Sequence, residues 1–407
     1  MTMEVRIGGD AAGPCRGLRV LDFSSLVAGP MCAMILGDLG ADVVKVEAPR
    51  GDSTRPMGPP FKGELSAVFT QFNRNKRSID LELGKPEGRP VVDRLAERAD
   101  VLIESFRPGV AERLGIDYAS VAPRNPRIVY LSIRGFGDDG PYAGQPAYDT
   151  VIQGLVGHMP VQGAGGRPEL VRSLVADKST GLSAVSAILA ALFARERNGG
   201  RGQKIDLAML DAFAAFMLPD AMFRETFLPS DEWQNAPDLN RVHRTWDTAD
   251  GHVVMLIVEN AQFEGLARML EREDWIADPR FASMTARIGH FAELAAAIEA
   301  ELRKWPTATI VERARRLGVP LAPANAVRDF FADPQAQANT TVFEAKDPMA
   351  GRIRYVRYPA RLSDNPASLR RHPPRLGEHT HEILAEEGFS DEEIRRLRAT
   401  AVIRPAI

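Results

Sequence analysis

Short apolar runs alternate with amphipathic segments through the first 135 residues of the chain. Four continuous apolar runs have the length of buried strands, at residues 18–23, 41–47, 100–104 and 127–133. Two segments between them have helical periodicity, at residues 31–39, which follow Pro30 and precede Gly40, and at residues 86–99. Because parallel strands need crossover connections of this kind, the pattern predicts a doubly wound α/β domain with a parallel sheet.

The rest of the chain predicts one long helix and a smaller α/β segment. Residues 177–197 are rich in Ala and Leu, and a Gly-rich turn at residues 198–202 ends this helix. The pattern becomes irregular over residues 215–245, where we expect a linker. Beyond it the pattern predicts a strand at residues 252–257 and helices at residues 260–271, 291–304, 379–388 and 391–399.

The charge balance and the motifs that are missing narrow the classes of function. The chain has 51 Lys and Arg against 54 Asp and Glu, a net charge of -3, so neither nucleic acid nor a membrane surface is an expected partner. No dinucleotide fingerprint follows the first strand, and no Walker, HExxH or Gly-x-Ser-x-Gly motif occurs. We therefore expect no nicotinamide or flavin cofactor. The seven His residues are scattered, and we expect no metal site.

Cysteine use and hydropathy predict a soluble, cytoplasmic protein. Cys15 and Cys32 are the two cysteines, too few for a secreted disulfide scaffold, and we expect both to be reduced. The most apolar run, at residues 182–194, is too short to cross a bilayer. The first residues of the chain have no apolar stretch of signal-peptide length.

Asp177 lies where the long apolar helix is predicted to begin. An aspartate at this place commonly caps the helix, because its side chain accepts hydrogen bonds from backbone N–H groups. The same position can serve catalysis, since a helix N-terminus stabilises an anion and lowers the pKa of a carboxylate. A positioned, ionised carboxylate can attack an activated carbonyl and form an acyl-enzyme. The residue pattern alone leaves both interpretations open.

Three further segments have the character of ligand-binding loops. Residues 73–78 carry Arg74, Lys76 and Arg77, a set of cations that suits a phosphate group or simply a solvated turn. Residues 104–109 and 134–137 each follow a predicted strand. Loops at the carboxyl ends of parallel strands are where open α/β sheets bind ligands, although packing and simple turns would also account for these residues.

Taken together, these segments resemble the family III coenzyme A transferases, the group that includes formyl-CoA and carnitine-CoA transferases. The resemblance covers nearly the whole chain in the right order. It rests on GLRVLDF at residues 17–23, AGP at 28–30, LGADVVKVE at 39–47, GD at 51–52, NKRS at 75–78, ESFRPG at 104–109, AD at 176–177 with Gly181, GRGQ at 200–203 and LGEHT at 376–380.

The resemblance implies roles for individual residues. Asp177 matches the catalytic aspartate, the nucleophile that becomes acylated. Ala48 stands where some members have an arginine on the adenine side of CoA, and Arg50 is the candidate to replace it. The other positions that the resemblance places at CoA are Val27, Ala28, Asn75, Lys76, Ser105, Phe106, Arg113 and Arg134.

The resemblance also implies an architecture and a reaction. We expect a large Rossmann-like domain, residues 1–224 completed by 331–407, and a small α/β domain, residues 225–330. Members of the family form intertwined homodimers, and we expect an interlocked dimer whose site lies between the large domain of one subunit and the small domain of the other. The substrates would be an acyl-CoA, with succinyl-CoA as the expected donor, and a free carboxylic acid. The reaction would pass through an aspartyl anhydride and an aspartyl-CoA thioester.

Two other functions stay open at this point. The α-methylacyl-CoA racemases resemble the chain throughout, but they need a histidine base where this chain has Tyr148, and an unperturbed tyrosine is a poor base near neutral pH. A non-catalytic CoA-binding protein is the other alternative. The long glycine loop of the formyl-CoA transferases is missing from residues 215–250, which disfavours formyl-CoA and oxalate as substrates.

Overall fold

A computed structural model describes residues 12–163, 166–233 and 239–404 of the chain. It divides into two compact units. The first takes in the chain up to Gly163, Arg167–Pro219 and the chain from Asn339 onward, and the second takes in Asp220–Ala338 with Gly166. The predicted domain limits, after residues 224 and 330, stay a prediction, because compactness alone does not show that either unit folds by itself.

The first unit is built around a six-stranded parallel sheet, as predicted. The strands up to residue 208 are β1 (Arg19–Asp22), β2 (Asp42–Glu47), β3 (Phe61–Lys62), β4 (Leu65–Ser66), β5 (Lys76–Asp80), β6 (Val101–Glu104), β7 (Val129–Arg134) and β8 (Gln203–Ala208). The sheet has the order β5-β2-β1-β6-β7-β8, and β3 and β4 form a separate hairpin. From β1 the chain adds β2 and β5 on one side of the sheet, and from β6 it adds β7 and β8 on the other. The topological switch point therefore lies between β1 and β6.

Helices connect these strands and cover both faces of the sheet. They are α1 (Ala28–Asp38), α2 (Ala67–Phe72), α3 (Arg89–Glu97), α4 (Val110–Leu114), α5 (Tyr118–Val121), α6 (Asp149–Leu155), α7 (His158–Gln162), α8 (Val175–Arg197) and α9 (Met209–Ala221). Neighbouring strand residues serve opposite faces: Val20 packs with α1 and α8 in one core layer, and Leu21 packs with α3 in the other.

The second unit has its own sheet and core. Its strands β9 (Thr245–Asp247), β10 (His252–Met255) and β11 (Leu321–Pro323) form an antiparallel sheet in the order β11-β10-β9. Its helices are α10 (Asn260–Met269), α11 (Met284–Gly289), α12 (Phe291–Leu302), α13 (Thr307–Leu317), α14 (Val327–Ala332) and α15 (Pro334–Ala338). Large side chains such as Trp246, Phe263 and Trp275 fill a core confined to this unit.

The end of the chain returns to the first unit. β12 (Val342–Asp347) pairs with β13 (Gly351–Val356), and α16 (Thr380–Glu386) and α17 (Asp391–Ala399) follow. Both helices contribute side chains, such as Ile383 and Leu397, to the core layer that contains Leu21.

Three local predictions were wrong. The basic segment near residue 76 is not a loop but the edge strand β5, every residue of which is buried, and acidic partners from distant parts of the chain neutralise its cations. The long helix α8 begins at Val175, so Asp177 is its third residue and not its cap. The expected linker after residue 215 begins inside α9, which continues to Ala221.

By length and composition α8 is apolar enough to span a membrane, but half of its most apolar window is buried. It packs against α1 in the first unit, as a core helix does.

Candidate active site

A cavity of about 200 Å³ opens at the carboxyl ends of the central strands in the first unit. It lies at the switch point between β1 and β6, the place where open α/β sheets bind ligands. The loop after β1 and the start of α1 contribute Ser25, Leu26, Ala28 and Gly29 to its wall. The rest of the lining is Ser105, Phe106, Arg107, Pro108, Ile133, Arg134, Gly135, Phe136, Gly137, Gly144, Gln145, Pro146, Ala147, Tyr148, Asp177 and Met209.

Asp177 is the carboxylate that lines this cavity. It is half-buried in the first turn of α8, and the backbone N–H of Ala28, the first residue of α1, is near enough to favour the ionised form of its carboxyl. The Asp177 carboxylate is thus placed at the N-terminus of a neighbouring helix, where a backbone donor and the helix dipole favour negative charge.

A different aspartate caps α8. Oδ2 of Asp149 accepts hydrogen bonds from the backbone N–H groups of Ala176, at 2.8 Å, and Asp177, at 3.2 Å. The N-cap residue Leu174 offers no side-chain bond. Gln153, one turn further along α6, holds the other oxygen of Asp149 with its Nε2 at 2.5 Å. The capping role therefore belongs to Asp149, and the side chain of Asp177 remains available to the cavity.

The pKa of Asp177 is raised, contrary to the expectation that the helix N-terminus would lower it. Burial is the largest cause, the negative charge of Asp149 adds to it, and the nearby backbone N–H of Ala28 opposes both, leaving the pKa at about 6. The donors of its own helix do not lower the pKa, because Asp149 occupies them. At neutral pH the carboxylate is mostly ionised and more basic than an ordinary aspartate.

Arg134 brings positive charge to the same cavity and is fixed in place. Its guanidinium donates to the buried carboxylate of Glu104, at the end of β6, at 2.9 Å, and also lies 3.2 Å from Asp138. Glu104 accepts a further bond from the backbone N–H of Phe106 at 2.9 Å. This ion pair ties the loops after β6 and β7 together along one wall of the cavity.

Two buried lysines hold the loop that follows β1. Nζ of Lys45 donates to the carbonyl of Ser24 at 2.9 Å and lies 2.8 Å from Asp52. Nζ of Lys76 lies 2.8 Å from Asp22, 2.8 Å from the Asn73 side chain and 2.9 Å from a backbone carbonyl of α1. Burial lowers the pKa of Lys76 to about 8 despite the opposing effect of Asp22.

This support fixes an unusual backbone. Leu26, in the cavity wall, has a φ of +69°, and its N–H donates to Asp52 at 3.3 Å. A bulky side chain in the left-handed region is strained, and strain of this kind is typical of functional loops. The buried charges therefore shape the segment that leads into Ala28.

The second unit contains a larger, shallower cavity of about 590 Å³. Its lining is mainly apolar, with His243 and Arg244 as its charged or titratable members, and among the described residues that line it there is no carboxylate. The smaller cavity, with Asp177, is therefore the candidate active site.

Comparison with known proteins identifies the family to which the chain belongs. The sequence model of CoA-transferase family III matches residues 15–380 of the chain. The chain belongs to CoA-transferase family III. It is thus an enzyme of the class that uses acyl-CoA as substrate.

Named relatives of this CoA-transferase are similar over nearly their full length. A succinate–glutarate CoA-transferase from Agrobacterium fabrum is 38% identical over 384 residues, which cover 92% of this chain and 95% of that protein. A formyl-CoA:oxalate CoA-transferase from Streptomyces avermitilis is 35% identical and covers 95% of this chain and 98% of its own length. A crystal structure of a CAIB/BAIF family protein from Brucella suis, 35% identical, superimposes with a TM-score of 0.79 over 92% of this chain and 100% of its own.

The structure brings half of the predicted site residues of this CoA-transferase to one place. The five that line the cavity are Asp177, Ala28, Ser105, Phe106 and Arg134. Val27 is buried directly before α1 and does not line it. Arg50 and Arg113 are exposed and also lie outside the lining.

Asn75 and Lys76 are buried away from the cavity, with their polar atoms occupied. Asn75 donates to Asp38 at 2.8 Å and accepts from the backbone of Arg370 at 2.6 Å. The cations of this segment already have acidic partners, since Arg74 is paired with Asp38, as Lys76 is with Asp22. The CoA contacts proposed for Asn75 and Lys76 stay a prediction that their present environment does not favour.

Sequence reasoning missed the residue that caps α8. Asp149 is 28 positions before Asp177, so no local pattern links the two. Leu26 and Met209 are two further cavity residues that no motif indicated.

Proposed function

We propose that this family III CoA-transferase moves CoA from succinyl-CoA to a second dicarboxylic acid of similar length, with Asp177 as the covalent nucleophile. The observation that carries the proposal is the Asp177 carboxylate, which lines a cavity at the switch point, is mostly ionised at neutral pH and lies near the backbone N–H of Ala28. Relatives named for succinate and glutarate, at 33% to 38% identity, support this class of substrates.

The first half of the proposed reaction acylates the enzyme. A carboxylate oxygen of Asp177 attacks the thioester carbonyl carbon, the C–S bond breaks, and CoA leaves as a thiolate from a mixed anhydride. The thiolate then attacks the Asp177 carbonyl carbon of that anhydride. The donor acid leaves as a carboxylate, and an aspartyl-CoA thioester remains.

The second half runs through the same bonds in reverse order. The acceptor carboxylate attacks the aspartyl thioester carbonyl, releasing CoA thiolate and forming a new anhydride. The thiolate attacks the acyl carbon of the acceptor, which gives the new acyl-CoA and restores the Asp177 carboxylate. One thioester replaces another, so no external energy source is needed.

The Ala28 N–H is suited to assist each of these steps. In the resting enzyme it lies near enough to the Asp177 carboxylate to lower the pKa of that carboxyl. When the aspartyl carbonyl carbon is attacked, negative charge develops on its oxygen, and a backbone donor already in place stabilises that charge without reorganisation. The buried network under the loop after β1 keeps this donor fixed.

The two alternative functions gain no support from the cavity. A racemase would need a second proton-transfer group, and Tyr148 stands at that place, with no histidine among the described residues of the lining. A non-catalytic CoA-binding protein would have no use for a carboxylate kept basic and accessible. The homodimer and the cytoplasmic location remain predictions.

The test is an isotope exchange that needs no knowledge of the acceptor. With succinyl-CoA and labelled succinate alone, the wild-type enzyme should move label into the thioester, because succinate can serve as both donor acid and acceptor. Asp177→Asn should lower this exchange by at least about a thousandfold, since the nucleophile is lost, while calorimetry should show unchanged CoA binding.

The matched control is Asp139→Asn, an exposed aspartate on the loop after β7, which should exchange like the wild type. Exchange that survives in Asp177→Asn, or a folded Asp177→Asn that no longer binds CoA, would contradict the proposal.

A further inference from the structure

We propose that Asp149 is the positioning residue of the reaction: by occupying the N-terminal donors of α8, it fixes the backbone of Asp177 and leaves the Asp177 carboxylate free to act as a nucleophile. This inference rests on the proposed role of Asp177. It adds a residue that does not line the cavity and is 3% exposed.

The carboxylates of Asp149 and Asp177 compete for the free N–H groups at the start of α8. The N–H groups at the start of a helix have no partner within the helix, and a carboxylate in the first turn tends to bind them. Asp177 is such a carboxylate. Asp149 already accepts from the N–H of Ala176 and from that of Asp177 itself, at 2.8 and 3.2 Å. The Asp177 side chain is therefore released from a capping role that would weaken it as a nucleophile.

Gln153 and Asp149 also make the start of α8 rigid. Gln153 holds Asp149 at 2.5 Å and also clamps the segment that leads into α8. Its Oε1 accepts from the N–H of Val171 at 3.0 Å, and its Nε2 donates to the carbonyls of Val171 and Ser173, each at 3.2 Å. The start of α6 and the start of α8 are thus locked together through two buried side chains, and Tyr148, directly before Asp149, forms part of the cavity wall.

The negative charge of Asp149 also acts on Asp177. Asp149 faces Asp177 from α6 and places a second negative charge beside it, which makes the Asp177 carboxylate more basic. The other charged or titratable groups around Asp177 are Lys178, Arg134, Arg107 and Tyr148. Lys178 is bonded to Ser173 Oγ, Arg134 is paired with Glu104, and Arg107 is exposed. A more basic carboxylate is the better nucleophile toward a thioester, so the pair of aspartates serves the first chemical step.

The deciding variant is Asp149→Asn. The amide oxygen of asparagine can still accept from the two backbone N–H groups, but the negative charge is lost. In the succinate exchange assay its pH profile should therefore shift to lower pH, and its plateau rate should fall, while KM for succinyl-CoA stays unchanged. Asp149→Ala loses the cap as well and should exchange about a hundredfold more slowly, again without a change in KM.

A second capping aspartate provides the matched control. Asp117 is the N-cap residue of α5, and its Oδ2 accepts from the N–H of Ser120 at 3.2 Å. Asp117→Asn should lose comparable thermal stability yet keep the wild-type pH profile and rate. If Asp149→Asn does not fold, Gln153→Met removes the clamp while preserving shape, and slow exchange with unchanged KM is expected.

The outcomes separate this inference from the proposed function. A wild-type enzyme that exchanges no label overturns the proposed function. A wild-type enzyme that exchanges label, together with an Asp149→Asn variant of unaltered rate and pH profile, overturns the role of Asp149 alone. A variant that changes only KM, or that behaves as Asp117→Asn does, also overturns it.

Discussion

The environment of Asp177 disfavours the ionised form of its carboxylate. Burial and the charge of Asp149 disfavour its ionised form, and the nearby N–H of Ala28 compensates in part. Its pKa is about 6 in the folded protein against an ordinary value of 3.8, so the native state holds its proton more tightly than the unfolded chain does. Below pH 3.8 the carboxyl is neutral in both states and costs nothing. As pH rises through 6 the folded protein must bear the ionised form, and stability is lost.

Asp177→Asn should therefore stabilise the protein at high pH. We expect the free energy of unfolding at pH 8 to increase by about 1–2 kcal/mol, because an amide removes the buried charge, and we expect this gain to disappear below pH 4. Denaturant unfolding at the two pH values measures it, with Asp139→Asn as the exposed control. A variant that is less stable than the wild type at pH 8 would show that the carboxylate is not under the electrostatic stress described.

At this scale the sequence singled out Asp177 as the candidate nucleophile but did not predict its environment. The resemblance singled out Asp177, because its neighbours and Gly181 match the family pattern. The expected fall in its pKa was wrong, since it assumed that Asp177 would face the donors of its own helix. Asp149 takes those donors through a tertiary contact, which no local pattern can indicate.

At the scale of helices and strands, the candidate active site depends on how closely helices α1 and α8 approach each other. Gly181, one turn after Asp177, is the contact point: a Cβ atom there would lie 3.0 Å from the carbonyl oxygen of Ala28 and 3.3 Å from the Met31 side chain. A glycine at this position lets the start of α1, and with it the Ala28 N–H, reach the Asp177 carboxylate.

Gly181→Ala should push these helices apart by a few tenths of an ångström. We expect a loss of about 1–3 kcal/mol in stability from overpacking and a roughly 10- to 100-fold loss in exchange rate from the displaced donor. Gly154→Ala in α6 is the control, because its Cβ would meet nothing nearer than the Met159 sulfur at 3.9 Å. That variant should be fully active and at least as stable as the wild type. Full activity in Gly181→Ala would mean that the Ala28 donor is not needed.

The element that sequence reasoning misjudged is β5. Its Lys76 and Arg77 gave the segment the polarity of a loop, yet the strand is buried. Asp22 and Asp42, both on earlier strands, neutralise these cations, and Glu382 and Glu386 of α16 complete the pairing of Arg77. A buried ion pair between residues this far apart cannot be inferred from hydrophobic periodicity, which counts each charge as exposed.

At the scale of the whole molecule, the parallel sheet was predictable because strand and helix patterns alternate in the first 135 residues. The strand order follows only from the structure, and it is the order that places the loops after β1, β6 and β7 around one cavity. The return of the chain end to the first unit came from the resemblance and not from periodicity, since α16 and α17 are ordinary amphipathic helices whose core partners are more than 250 residues away.

The proposed mechanism requires Asp177 to become covalently linked to CoA during turnover. The most direct measurement is mass spectrometry of the enzyme quenched rapidly after mixing with succinyl-CoA, followed by tryptic digestion, which releases Asp177 in the short peptide of residues 173–178. We expect a CoA-mass adduct on this peptide, converted to a hydroxamate by hydroxylamine and missing from Asp177→Asn. Exchange that proceeds without any adduct on this peptide, or with an adduct on another residue, would contradict it.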